Sequence, residues 1–218
     1  MEHPSQTIAN LIQELQADDE FDRAHASFML SMLGTPAVQP LINLLRHPVS
    51  AVRLRASWAL GVIGPAALPA LMELAEGSDQ ELRVEAIRVL GVIGEARSLN
   101  RILVALTDSD AHVAARAARA LGKIGDPRAY HPLLTALHHP SADVRYEACR
   151  SLADLHVSEA STALLELAER ETEQTSWGTS VADTARRAAE EAASVAYTVR
   201  DEEFAHISKL LQQHRPRS

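Results

Sequence analysis

The sequence predicts an all-α fold, a single array of stacked helical hairpins over residues 1–218, and three observations carry that prediction. Alanine and leucine supply 37 and 28 of the 218 residues, against eight aromatics. That composition suits helices packed closely through small side chains, not sheets rich in Val, Ile, Thr and aromatics. A short phrase recurs as Leu60-Gly61-Val62-Ile63-Gly64, Leu90-Gly91-Val92-Ile93-Gly94 and Leu121-Gly122-Lys123-Ile124-Gly125. Looser copies are Leu30-Ser31-Met32-Leu33-Gly34 and Leu152-Ala153-Asp154-Leu155-His156, and the leading leucines step by 30 or 31 residues, as in a repeat array. Ahead of each phrase, apolar residues return with helical period, as at 52, 56, 59, 60 and 63.

Each unit reads as two helices. The first is short and carries proline near its start, where a missing N–H costs little (Pro36, Pro65, Pro127), with an apolar stripe such as Leu41, Leu44 and Leu45. The second repeats one buried face, as Leu82, Ala86, Val89, Leu90, Ile93 and as Val113, Ala117, Ala120, Leu121, Ile124. Gly64, Gly94 and Gly125 close these helices, where a left-handed residue is wanted. Six hairpins are expected at about 5–33, 36–63, 65–93, 95–124, 127–155 and 158–197, then a closing helix at about 201–213. Two helices in about 30 residues cannot bury both faces, so neighbouring units must supply the core. Aligning Ala185, Arg186, Ala189 and Ala192 with Leu82, Arg83, Ala86 and Val89 leaves an insertion of roughly ten residues at 171–180 in the sixth unit, containing Trp177.

Composition also excludes functions. No apolar run is long enough for a membrane span and no signal-peptide pattern opens the chain. One cysteine, Cys149, makes no internal disulfide, which points to a reducing, cytoplasmic setting. With 29 acidic against 21 basic residues and a pI near 5.7, the chain is a poor duplex binder. His47, His138 and His139 stand before prolines at the ends of first helices, where a protonated imidazole would meet the negative helix end. No histidine pair has metal-ligand spacing beside an acid, Cys149 falls at the core edge as a packing residue, and no glycine spacing makes a phosphate loop. Neither metal nor cofactor is expected.

The phrase Val52-Arg53-Leu54-Arg55-Ala56-Ser57-Trp58-Ala59-Leu60-Gly61-Val62-Ile63-Gly64 resembles the short HEAT-like repeat of the phycobilisome lyase (PBS lyase) family. The likeness is strong in units two to five and weaker in the first and sixth. It implies a right-handed α-α superhelix, an armadillo-type α-solenoid, with first helices on the convex face and second helices on the concave one. Deoxyhypusine hydroxylase has similar repeats and binds iron through His-Glu pairs. The matching positions here are Ala24-His25, Leu54-Arg55, Val84-Glu85, Ala115-Arg116 and Tyr146-Glu147, none of them His-Glu, which excludes that enzyme.

Arg23, Arg53, Arg83, Arg145 and Arg186 share one register and are expected to bond acids or carbonyls of the adjacent repeat, with Asp79 and Asp110 as helix caps. Function is sought instead where units differ, on the face opposite the core. Ala24, His25, Phe28 and Met32 come first, then Leu54, Arg55, Trp58 and Val62, then Val84, Glu85, Arg88 and Val92, then Ala115, Arg116, Arg119 and Lys123, then Tyr146, Glu147, Arg150 and Asp154. The face starts apolar and aromatic and becomes cationic in its middle, inside a chain of net charge −8, which would focus an anionic ligand or an acidic partner surface. The expected function is therefore a non-catalytic scaffold that grips another protein, one with an acidic and apolar surface, in its concave groove. Trp177 is either a cap on the last repeat or an exposed anchor for a partner. The alternative class is a phycobilin lyase-like subunit or chaperone, since a bilin joins two propionates to a large apolar π-system.

Overall fold

The structure, a computed structural model, describes residues 4–194. The closing helix expected at 201–213 and the end of the sixth hairpin lie outside the described residues. Helix α1 (Pro4–Leu15) packs on α2 (Glu20–Leu33), α3 (Thr35–Asn43) on α4 (Ser50–Ile63), α5 (Leu68–Leu74) on α6 (Gln80–Ile93), α7 (Leu99–Ala105) on α8 (Ala111–Ile124), and α9 (Tyr130–Ala136) on α10 (Ala142–Asp154). Helix α11 (Ala160–Arg170) precedes α12 at 181–194. Among the described residues the one departure from helix and turn is a bridge between Gln174 and Ser180 inside the insertion. The fold class is all-α.

Two compact units divide the chain, Met1–Asp126 and Pro127–Ser218. In the first, the second helices lie side by side in chain order, α2 on α4, α4 on α6, α6 on α8. Their repeated stripe is the core: Leu30, Ala56, Leu60, Ala86, Leu90, Ala117 and Leu121 have no exposed surface. Each buried leucine contributes about 2 kcal/mol of hydrophobic stabilisation. In the second unit Val144, Ala148, Leu152, Leu164 and Ala185 do the same.

The residues 50–74 correct the expectation about membrane spans, because by length and apolarity alone Ser50–Leu74 could cross one. Gly64 divides that stretch, with φ 67° and ψ −131°, a conformation open in practice only to glycine, and Val52, Ala59, Leu68 and Leu71 are buried in the repeat core. It is two helices of successive hairpins. Gly94 and Gly125 are left-handed helix ends as expected, and in the fifth hairpin His156 takes a positive φ of 54° without being glycine.

The shared arginines hold the bend of their own hairpin. Arg23, Arg53, Arg83 and Arg145 each donate from Nη1 to the carbonyl six residues earlier, on Ala17, His47, Gly77 and His139, at 2.6 to 3.2 Å. The expectation of adjacent-repeat acids holds only where one is within reach: Arg83 also meets Asp108 at 3.0 Å, and Arg145 meets Glu171 and Glu173. Because the insertion displaces the bend, Arg186 bonds Asp183 and the distant Ala168 carbonyl. Asp19, Asp79 and Asp110 cap α2, α6 and α8 through backbone N–H groups.

The histidines correct another expectation. Nδ1 of His47 accepts the Val49 N–H at 3.2 Å and Nδ1 of His139 accepts the Ser141 N–H at 3.0 Å. Both rings therefore close their bends as hydrogen-bond acceptors at helix starts that have no side-chain cap from Asp.

Candidate functional site

Three rows of side chains run across the second helices of the first unit, one residue per helix. The middle row is Phe28, Trp58, Arg88 and Arg119; beside it run Met32, Val62, Val92 and Lys123, and His25, Arg55, Glu85 and Arg116. All three follow from sequence, since residues 30 or 31 apart occupy equivalent positions on adjacent helices. The apolar members stand in solvent: Phe28 is 53% exposed, Trp58 45%, Leu54 60%, Met32 70%, and Val62 and Val92 about half. Val84 is half-buried, while Ala115, next to Arg116, is buried against the core. Six large apolar side chains on three packed helices make a patch of the kind that marks an interaction site.

Charge is less one-sided than composition suggests. Arg55 bonds Glu20, and Arg88 bonds Glu85 on its own helix at 2.7 Å. Glu20, held by Arg23 and Arg55, stays below the usual carboxylate range. Helix α8 adds Arg116, Arg119 and Lys123 to this face. Phe21 and Met29, 76% and 38% exposed on α2, were not legible as face residues. Met29 sits where Ala59, Val89 and Ala120 are buried against a preceding unit, and α2 begins the series.

The second unit brings Tyr146, Arg150 and Trp177 together. Trp177 stands edge-on to Tyr146, with centroids 5.4 Å apart and planes at 87°, and the Arg150 guanidinium lies 5.6 Å from the Tyr146 ring centroid. Arg150 also meets Glu147 at 3.5 Å. Beside them a polar cavity of about 260 Å³ opens between α10 and α12, lined by Tyr146, Arg150, Asp154, Thr184, Arg187 and Glu191.

The insertion is a built loop. The buried Asp143 carboxylate accepts the Ser176 N–H at 2.7 Å and its hydroxyl at 2.8 Å, Thr175 is buried, and Glu171 and Glu173 clasp Arg145. Burial opposes ionisation of Glu171, but Arg145 and two backbone N–H groups outweigh it and hold the carboxyl below its usual range. Trp177 thus touches the fifth hairpin through Tyr146 and is 55% exposed. Asp143 was missed because its partner lies 33 residues on, with no periodic signal to find it. Cys149 is fully buried, its thiol pushed up to about 12 by burial and by Glu171, which removes it as a nucleophile. No cluster of three or more His, Cys, Asp or Glu suited to a metal occurs among the described residues.

Successive two-helix units, packed second helix on second helix around one aliphatic stripe, define a helical-repeat protein. The family model for HEAT repeats matches residues 8–83 and 68–143, and the chain belongs to that family. Among solved structures it resembles the complex of CpcE and CpcF of phycocyanin lyase from Nostoc sp. PCC7120, with 23% identity and a TM-score of 0.61 over 72% of this chain and 98% of that one. It also resembles a designed armadillo repeat protein in complex with the peptide (KR)4, with 22% identity and a TM-score of 0.51 over 85% and 99% of the two chains. Both likenesses concern the fold. Comparison with curated proteins gives no match.

Proposed function

We propose that this chain is a non-catalytic adaptor, working in a reducing cytoplasmic setting, that holds a partner protein against the second-helix face of its first unit. The observation that carries the reading is the exposed block of Phe28, Met32, Leu54, Trp58, Val62 and Val92 on three packed helices, beside Arg116, Arg119 and Lys123 of α8. Aromatic side chains of this kind become binding hot spots when a partner excludes water from them. The HEAT-repeat membership and the peptide complex of the armadillo design support a protein ligand. Trp177 with Tyr146 and Arg150 offers a second contact point on the other unit.

Affinity capture with the wild-type chain and with a Trp58→Ala/Arg116→Glu variant tests the reading. Both residues are solvent-exposed, so the variant keeps its melting curve. The captured partner should be lost; retention of the same partner by the folded variant refutes the reading.

A tetrapyrrole-handling role is the second reading. It is favoured by one feature, an aromatic and aliphatic block next to arginines, which matches the π-system and propionates of a bilin. A shifted visible absorption band on mixing with bilin would select it.

A further inference from the structure

We propose that the open edge of α2 docks a basic amphipathic helix of a partner protein, which packs on α2 as α2 packs on α4. This edge is distinct from the block around Trp58, and the inference stands apart from the adaptor reading.

The later units show what the edge is shaped to meet. In the first unit each second helix after α2 lays one stripe of residues on the second helix before it. Helix α4 sets Arg55 on Glu20 of α2, α6 sets Glu85 by Ser57 and Val92 on Gly61 of α4, and α8 sets Ala120 on Gly91 of α6. Steps of 30 and 31 residues carry these positions back to His25, Met29 and Met32 on α2. Phe21 extends the stripe by one turn, its ring stacked on His25 with centroids 6.4 Å apart. Residues three and four apart share a helical face, so the four side chains form one ridge about 16 Å long. Helix α2 packs on α1, α3 and α4, and this ridge, on the side away from α4, is left in solvent: all four residues are exposed. A repeat stack that simply ends closes with a polar outer face. Here Phe21, Met29 and Met32 make the outer face apolar.

Charge selects the occupant. Residues 1–33 hold six acids and one arginine, Arg23. Arg23 and Arg55 both pair with Glu20, and Glu14 lies 3.5 Å from His25 of the ridge. Asp18 and Asp22 are exposed and form no ion pair among the described residues. Asp22 stands where Val52, Leu82 and Val113 are buried in the later units, a position where an uncovered helix accepts a charge and a covered one requires a partner for it. A second copy of the chain would set the same acids against these. A helix with an apolar seam flanked by Lys or Arg covers the ridge and answers its carboxylates.

The test uses the full chain and synthetic peptides of about 18 residues, long enough to hold a helix, with binding measured by calorimetry. The first peptide carries a leucine seam of helical period flanked by lysines, the second has the same seam flanked by glutamates, and the third has the composition of the first in an order without a seam. The first should bind at least about tenfold tighter than the other two. Phe21→Ala should weaken it at least about tenfold, the loss of one hot-spot contact, and Asp18→Asn/Asp22→Asn about threefold, as for pairs at an interface rim. Phe21 is exposed, so its variant should keep the wild-type melting curve. Trp58→Ala should leave the binding unchanged. No binding by the first peptide, equal binding by the second or third, or indifference to Phe21→Ala overturns the proposal. So does self-association that Phe21→Ala abolishes, since it assigns the edge to a second copy. Peptide binding lost with Trp58→Ala but kept with Phe21→Ala also overturns it, by moving the helix to the adaptor face. The adaptor reading is judged separately, by capture that depends on Trp58 and Arg116.

Discussion

Gly91 and Ala120 touch backbone to side chain where α6 crosses α8: a methyl group on Gly91 would lie 2.7 Å from the Ala120 Cβ and 2.8 Å from its Cα. Such a distance cannot be relieved by rotating a side chain, because the obstacle is the helix itself. Gly91→Ala should therefore destabilise by about 1–3 kcal/mol through overpacking, although alanine is the better helix former by about 1 kcal/mol. Gly61→Ala should cost less, since its neighbour is the movable Cγ1 of Val92 at 3.1 Å. Urea unfolding of the two variants gives the comparison, and equal stabilities would contradict it.

The insertion is expected to carry stability through its backbone anchors and not through its tryptophan. Asp143→Ala leaves Ser176 without its buried acceptor and should cost about 1–3 kcal/mol. Trp177→Ala removes a ring more than half in solvent and should change the melting temperature little. Deleting 174–179 should resemble Asp143→Ala or exceed it, because Asp143 would remain buried without its partner.

Arg145 is the costliest of the register arginines to lose. It holds two carbonyls and two carboxylates, with Glu171 almost wholly buried, so Arg145→Ala strands a carboxylate and should cost about 3 kcal/mol or more. Arg53→Ala removes only carbonyl contacts of the bend and should cost clearly less. Thermal melts rank the two.

Acid should destabilise the second unit in two steps. Burial, then Arg145, holds the His139 imidazole below its ordinary value of 6.5, so the folded chain binds fewer protons there than the unfolded one. Stability from this ring is complete above that value and falls as the pH drops through the imidazole range. Glu171 is likewise depressed, from 4.5, and its contribution is lost at lower pH, as the carboxyl protonates. Melting temperature against pH should show both limbs, and Glu171→Gln should remove the lower one.

Cys149 should resist a thiol-specific disulfide reagent at neutral pH and react only when the chain unfolds, since the buried thiol titrates at about 12. Reaction at the rate of an exposed thiol under native conditions would contradict the packing.

The repeat step, the aliphatic stripe and the helix-closing glycines were legible in the sequence because each is periodic: equivalent residues meet equivalent surroundings in every unit. The rows of Phe28, Trp58, Arg88 and Arg119 were legible for the same reason, as departures from that period on the outward face. What periodicity could not reveal is pairing between residues that do not repeat. The Asp143–Ser176 anchor, the Arg145 clasp of Glu171 and Glu173 and the edge-on Trp177–Tyr146 contact join a ten-residue insertion to a helix far back in the chain, and only the tertiary structure decided them. It also decided how some of the charges pair. Arg55 and Arg88 read as cations in the sequence, yet each lies against a glutamate within ion-pair distance, because facing helices bring Glu20 and Arg55 together and helix periodicity brings Glu85 and Arg88 together.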